Sequence, residues 1–447
     1  MTAFMGTIVG GHPTPTTAQL FSARSAGNPQ TSSCAAVCVT PPSGLPRIRR
    51  ENDGICSGRE IGLVNYGKMQ VMQIEVVDSL ATIPAQEWDA LVAVAGGNVF
   101  LSHAYLHGLH ATGCAMARAG WQPCYLFARE GVSLVGALPL YLKAHSYGEY
   151  VFDWAWADAY KRAGGNYYPK LLSAVPFTPC GGPRALAANA EIRDTLLKAA
   201  ITYAKDLGVS SLHVLFPPED EAKAWQDAGL MLRQGVQFHW ENRGFADFDA
   251  MLSTMTHDKR KRIKQDRRYV AEAGVTWRVS RGAQISEADW KFFYRCYDLT
   301  YRAHMSTPYL SLEFFQRIGQ YCGGAAVLFV GERDGVPLCT SLCIADGDTV
   351  YGRYWGTLQT LKSLHFEACY YQPIEWCIAN RFQHFEGGAQ GAHKLARGLL
   401  PTATYSVHWL ADQRFAAAVD DYLARETIGV AHTLEELGES SPFKDER

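Results

Sequence analysis

The chain predicts an α/β (α+β) protein of two similar units, each a mixed, mostly antiparallel twisted sheet flanked by helices. Three observations predict it. At 447 residues the chain is too long for one ordinary domain and long enough for two to bury separate cores. Shifting it by 204 residues lays GVSLVGALPLYLKAHSYGEY (131 to 150) on GVPLCTSLCIADGDTVYGRY (335 to 354) without a gap, matching Gly131 to Gly335, Leu138 to Leu342, Tyr147 to Tyr351 and Tyr150 to Tyr354. Each copy reads as strand, turn at the glycine, strand, turn, strand, then a helix and a further strand.

Taken in order, residues 1 to 70 form a leader-like or disordered extension. They are rich in Ser, Thr, Pro and Gly, with Arg24, Arg47, Arg49 and Arg50 but no acid before Glu51, so they read as a transit-like leader or as sequence upstream of a start at Met69 or Met72. The first unit spans 71 to 245. Its meander precedes the helix EIRDTLLKAAITYAKDLG and the strand SSLHVLF. Residues 246 to 275 contain a basic linking helix, and 276 to 447 hold the second unit with a helical C-terminal tail. There the helix HFEACYYQPIEWCIANRF, with Pro373 near its start or at a kink, precedes the strand QHFEGGA. The helices of the two copies align at a shift of 173, so the first copy carries 31 extra residues, about 152 to 184, between its third strand and its helix.

The balance of 42 Lys+Arg against 44 Asp+Glu gives no global pull toward nucleic acid or an anionic membrane. No apolar run is long enough to span a bilayer. The 12 cysteines lie mostly in apolar runs and imply a reducing, cytoplasmic setting. Neither Cys34/Cys38 nor Cys339/Cys343 has a second pair at finger-like spacing, so no metal is expected.

A twice-occurring meander, helix and strand is the layout of tandem GNAT-like domains. FLSHAYL, YYPKLLSAVPFTPCGGPR, GVQFHWENRG, YGRYWG, HFEACYYQPIEW and GAQGAHKLARG resemble the FemAB-like proteins of peptidoglycan biosynthesis/recognition, grouped with GNAT N-acyltransferases, over about residues 72 to 445. The resemblance implies transfer of an acyl or aminoacyl group from acyl-CoA or aminoacyl-tRNA, as donor co-substrate, to the amine of a small molecule or cell-wall precursor. A non-catalytic glycan- or peptide-binding protein on the same scaffold is the alternative. No R/Q-x-x-G-x-G/A loop opens the helix of either copy, so the usual CoA pyrophosphate cradle is missing.

The active site is expected between the copies, with the insertion over the acceptor. There His145, Glu149, Trp154, Asp158, Tyr160, Tyr168 and Lys170 suit an amine ligand. Read as a strand, YVFDWAWADAY sets Asp153 opposite Phe152, Trp154 and Trp156. Asp153 is then a general base or a turn residue. Arg353, Tyr354 and Tyr371 complete the substrate-binding set, and Glu149 and Arg353, at matching positions, either face opposite ligand charges or pair with each other. Glu367 and His365 begin the second helix as catalytic candidates. Gln390, Gly391, His393, Lys394 and Arg397 form a donor or anion cradle or a solvated turn. The run HDKRKRIKQDRR, with its bases at 257 to 268, is a tRNA surface or a solvated linking helix.

Overall fold

The computed structural model describes residues 60 to 66, 70 to 389 and 391 to 444. The leader at 1 to 59, the start at Met69 and the donor candidate Gln390 lie outside the described residues. The extension expected up to residue 70 is corrected at its end, where 60 to 66 form a strand.

The first half contains β1 (Glu60–Tyr66), β2 (Gln70–Val77), β3 (Trp121–Pro123), β4 (Tyr125–Glu130), β5 (Ser133–Leu138), β6 (Tyr141–Lys143), β7 (Lys170–Ser173), β8 (Leu186–Ala187), β9 (Ser211–Leu215) and β10 (Met231–Glu241). The second contains β11 (Val275–Arg281), β12 (Ala326–Arg333), β13 (Val336–Asp346), β14 (Thr349–Thr357), β15 (His384–Glu386) and β16 (Leu400–Leu410). A five-stranded sheet runs β1-β2-β4-β5-β8, and an eleven-stranded sheet runs β11-β12-β13-β14-β15-β10-β16-β9-β7-β6-β3. The first hairpin belongs to both. Its strands break near Pro123 and Pro139, where the Cys124 amide bonds the Leu140 carbonyl at 2.9 Å, and continue from the small sheet into the large one.

The same pairing order occurs in both halves. β12, β13 and β14 form an antiparallel meander and β14 runs parallel to β15; β6 and β7 are antiparallel and β7 runs parallel to β9. Asp334 and Gly335 both have left-handed φ (53° and 74°), the backbone that a two-residue hairpin turn needs. The last strands are exchanged: β10 from the first half pairs with β15, β16 from the second pairs with β9, and β10 and β16 pair with each other from Met231↔His408 to His239↔Leu400.

Register revises the internal alignment. Leu171 opposes Leu212 as Val350 opposes Phe385, so the strand matching Thr349–Gly352 is β7, and YGEY is not a strand. Gly148 and Tyr150 both have left-handed φ (80° and 64°), which an extended strand cannot hold. The insertion therefore lies between β6 and β7, before the third strand rather than after it. Its YVFDWAWADAY segment is corrected from strand to helix, Trp154–Arg162. Trp156 and Tyr160, four residues apart, pack on the long C-terminal helix Gln413–Glu439 through Phe415, Val419 and Leu423. Alternating aromatics fitted either period, and this apolar partner selects the helical one.

Helices cover the sheets. Glu287–Ala303 is capped by the Ser286 side chain and buries Trp290, Phe293, Tyr297 and Tyr301, a stripe at helical spacing, in an aromatic core with Phe100, Tyr105 and Phe315. No helix among the described residues is long and apolar enough to cross a membrane.

Candidate functional site

The insertion builds a closed ionic cluster. Lys170, at the start of β7, stands directly opposite Lys143, at the end of β6, and both are fully buried. Two like charges in that position are unfavourable. Glu149 and Asp153 from the insertion neutralise them. Lys170 Nζ donates to Glu149 Oε2 and Ser146 Oγ, each at 2.7 Å, and to Asp153 Oδ2. Lys143 Nζ lies 3.7 Å from Glu149 Oε1 and 3.4 Å from the centre of the Trp121 ring.

Behind this group Tyr167 OH donates to Asp153 at 2.7 Å and meets His213 Nε2 at 3.1 Å, and His213 Nδ1 lies 2.7 Å from His408 Nδ1 across the β9–β16 pair. Burial acts to raise the Asp153 pKa, but Lys170 and His213 more than offset it and hold the carboxyl well below the usual range. Burial pushes Glu149 up to about 7 and Lys143 down to about 7. Burial also acts against the Lys170 charge, yet Asp153 and Glu149 raise its pKa to about 12.

The other insertion candidates are structural in their contacts. His145 Nδ1 accepts from the Tyr147 amide at 3.2 Å, and burial lowers its pKa to about 4. Trp154 packs on Tyr147, Tyr160 on Phe415, and Tyr168 OH bonds Ser146 Oγ at 2.8 Å. Asp158 is exposed on the outer face of its helix. Arg353 is the extra residue of a bulge, since Leu342 opposes Tyr354 and Cys343 opposes Gly352. Its guanidinium donates to the Phe177 carbonyl at 2.6 Å, beside Tyr354 OH at 3.2 Å. Glu149 pairs with Lys170, so the Glu149–Arg353 salt bridge does not form.

A second cluster lies in the other half. The helix after β14 begins at Leu364–Phe366, widens into a π turn at Glu367–Tyr371 and resumes at Gln372–Ala379. Pro373, which lacks the N–H for a regular turn, stands two residues beyond the end of the π turn at Tyr371. Glu367 Oε1 accepts from Gln372 Nε2 at 2.7 Å and faces Arg267 Nε at 3.2 Å. Glu367 Oε2 is buried with no hydrogen-bond partner among the protein groups. Burial raises the Glu367 pKa against the opposing effect of Arg267.

Tyr370 OH meets His393 Nε2 at 3.1 Å, which brings HFEACYY and GAQGAHK together. Arg397 donates to the His393 carbonyl at 2.6 Å and stacks 3.6 Å over the Phe366 ring. Lys394 is buried, donates to the Gly388 carbonyl at 2.8 Å, and burial lowers its pKa to about 7. His365 packs 4.7 Å from Trp355, and burial, then His393 and Arg397, lower its pKa to about 3. Gly391 has φ 126°, and a side chain there would meet the His393 ring at 2.6 Å.

The helix His257–Glu272 contributes residues that the sequence reading passed over. Asp266 is buried and accepts from Ser363 Oγ at 2.7 Å and Tyr371 OH at 3.0 Å, with Arg397 at 3.8 Å. Ile263, Asp266 and Val270 share its inner face at i, i+3 and i+7, a spacing visible in the sequence. Arg267 of the same helix holds Glu367, and Lys261, Lys264 and Arg268 are exposed.

Three cavities matter. One of about 640 Å³ is lined by Asp247, Asp249, Glu367 and Glu375, by Lys264, Arg267 and Arg268, and by Phe248 and Trp277. One of about 320 Å³ is lined by Trp355, Lys362, His365, Phe366 and His393. One of about 210 Å³ lies where Tyr150, Val151 and Phe152 meet Gly235, Gln237 and Ala389. None of the three is lined by Asp153, Glu149 or Lys170. Between β7 and β14 lie five strand steps, on the order of 24 Å at about 4.8 Å each. Asp153 and Glu367 share none of the three cavities. Among the described residues no group of three or more His, Cys, Asp or Glu side chains could hold a metal.

The structure is similar to that of FemX, at 11% identity over 76% of this chain and 98% of that one, with a TM-score of 0.47. It is similar to L-PGS from Bacillus licheniformis, at 9% identity over 76% and 97%, TM-score 0.48. It is also similar to a tandem GNAT protein from the clavulanic acid biosynthesis pathway, at 13% identity over 76% and 99%, TM-score 0.41. No curated protein matches the sequence. The FemAB-like family, described as peptidoglycan biosynthesis/recognition, matches residues 79–445, which is most of the chain. The chain thus belongs to the FemAB-like family.

Proposed function

We propose that the protein is an N-acyl- or aminoacyltransferase that acylates an amine bound in the 640 Å³ cavity, with Glu367 as the base that takes the ammonium proton. The single observation behind this reading is the buried, unpartnered Oε2 of Glu367 at the wall of that cavity. A carboxylate whose pKa is raised by burial is suited to accept a proton near neutral pH. Four carboxylates and three bases line the cavity, a surplus of one negative charge that suits a cationic acceptor such as an amino-bearing metabolite or a cell-wall precursor.

In the step itself one ammonium proton passes to Glu367 and on to solvent. The freed nitrogen then attacks the donor carbonyl. The C–N bond forms as the C–S bond of an acyl-CoA or the C–O bond of an aminoacyl-tRNA breaks, and the second nitrogen proton leaves with that sulfur or oxygen. On this reading the two units at 71 to 245 and 276 to 447 are joined by a segment that is more than a linker. His257–Glu272 lines the acceptor cavity with Lys264, Arg267, Arg268, Val270 and Ala271, and its exposed bases suit a nucleic-acid donor. Gly391, His393, Lys394 and Arg397 carry the donor-side role, His365 contacts the donor, and the substrate role of Tyr371 is to fix Asp266.

The test is turnover of a panel of acyl-CoAs and aminoacyl-tRNAs with amine acceptors. Glu367→Gln is expected to lose about 10²–10⁴-fold in rate with an unchanged urea midpoint. Wild-type protein that binds a glycan or peptide but consumes no donor would replace this reading with the binding-only one.

A further inference from the structure

The 320 Å³ cavity is not used by the proton transfer described above. Rings form its walls: the Trp355 and His365 centroids are 4.7 Å apart, Phe366 and His393 6.1 Å, and His365 and His393 6.3 Å. Thr357, Thr360, Lys362 and Ser363 stand at its rim, and no Asp or Glu lines it. The neighbouring larger cavity, by contrast, is lined by four carboxylates and three bases.

Two cations, Lys362 and Arg397, stand near the ring-walled cavity against one carboxylate, Asp266. Arg397 stacks 3.6 Å from the Phe366 ring centre, and Lys362 is exposed at the rim. Both imidazoles are neutral at physiological pH, since burial lowers His365 to about 3 and His393 to about 4. They line the cavity as uncharged rings packed on Trp355, Phe366 and Tyr370. Ser363 is held at a left-handed φ of 63° with its hydroxyl on Asp266, which fixes the rim in place.

We propose that this cavity binds a small planar aromatic acid, one ring or two fused rings carrying a carboxylate. Flat ring faces pair with the wall by stacking, and the anion meets Lys362 and the field of Arg397. A volume near the lower end of the roughly 300–1,000 Å³ spanned by small-molecule sites accommodates one ring system.

Equilibrium titration of the whole protein with benzoate and indole-3-acetate tests the assignment, with cyclohexanecarboxylate, indole and AMP as controls. Saturable 1:1 binding is expected for the two aromatic acids. Cyclohexanecarboxylate, charged but not planar, and indole, planar but uncharged, should bind about fivefold more weakly or worse. Phe366→Leu should weaken benzoate binding about fivefold. Lys362→Gln, at an exposed position that does not endanger folding, should weaken it about threefold and reduce its salt dependence. Equal affinity for cyclohexanecarboxylate, binding of AMP in preference to the aromatic acids, indifference to both substitutions, or no saturation would each overturn the proposal. The cavity shares His365 and His393 with the donor side of the transfer reading but not Glu367, so Glu367→Gln should lose about 10²–10⁴-fold in turnover while leaving aromatic-acid affinity unchanged.

Discussion

Replacing Lys170 with Met removes one ammonium from a buried group in which two carboxylates depend on it. Breaking a buried pair by deleting one partner typically costs ~3–5 kcal/mol, because the other charge is left without compensation. In this cluster Glu149 keeps Lys143 at 3.7 Å, and Asp153 keeps the Tyr167 hydroxyl at 2.7 Å and His213 at 3.8 Å. The loss is therefore expected at the lower end, about 3 kcal/mol, or about 1 M in urea midpoint for an m-value near 3 kcal/mol/M. The sign with pH follows from Asp153. With Lys170 present its folded pKa lies below the unfolded value, so its contribution is present above the unfolded pKa and is lost as pH falls through the folded one. Without Lys170 burial dominates and the folded pKa rises above the unfolded value, so the variant takes up a proton on folding and its deficit shrinks as pH falls toward 4. Urea unfolding followed by tryptophan fluorescence at pH 7.5, 6 and 4.5 measures both effects. A loss below about 1 kcal/mol, or one that does not change with pH, would refute the argument that the insertion's acids exist to neutralise two opposed lysines.

Burial pushes Glu386 up to about 7 from 4.5, with Arg353 opposing, so the folded chain holds an extra proton between those values and stability should decline by ~3 kcal/mol as pH rises through that window. Glu386→Gln should flatten that part of the urea-midpoint profile. Asp266→Ala leaves Ser363 and Tyr371 without their acceptor and Arg397 without its nearby carboxylate, and should cost about 3 kcal/mol by urea unfolding, against about 1 kcal/mol for Tyr371→Phe. The nine cysteines among the described residues are free and buried, so a thiol reagent should label at most three of the 12 in native protein and all of them in guanidinium.

The mixed sheet flanked by helices was legible because the Asp334–Gly335 turn and the strand patterns around it are local signals. The match of YGEY to YGRY was not a reliable guide to register. Three of four letters coincide, but the backbone at Gly148 and Tyr150 turns through left-handed φ, and the matching strand begins 20 residues after Tyr150, at Lys170. The acidity of the insertion could not be explained before that register was known, because Lys143 and Lys170 become opposed only when β6 and β7 pair. Asp266 was within reach: it is an acid inside a basic run, on the same helical face as Ile263 and Val270. The orphaned oxygen of Glu367 was not, because it depends on how the π turn, Arg267 and Gln372 share one carboxylate.

The most direct test of the central claim compares Glu367→Gln with Asp153→Asn in one acyl-transfer assay, with stability measured alongside. The predicted result is that Glu367→Gln folds as the parent does and loses at least about 100-fold in turnover, whereas Asp153→Asn loses stability and, where folded, retains the parental rate constant. Full turnover in Glu367→Gln, or a loss of turnover in a normally stable Asp153→Asn, would contradict the account.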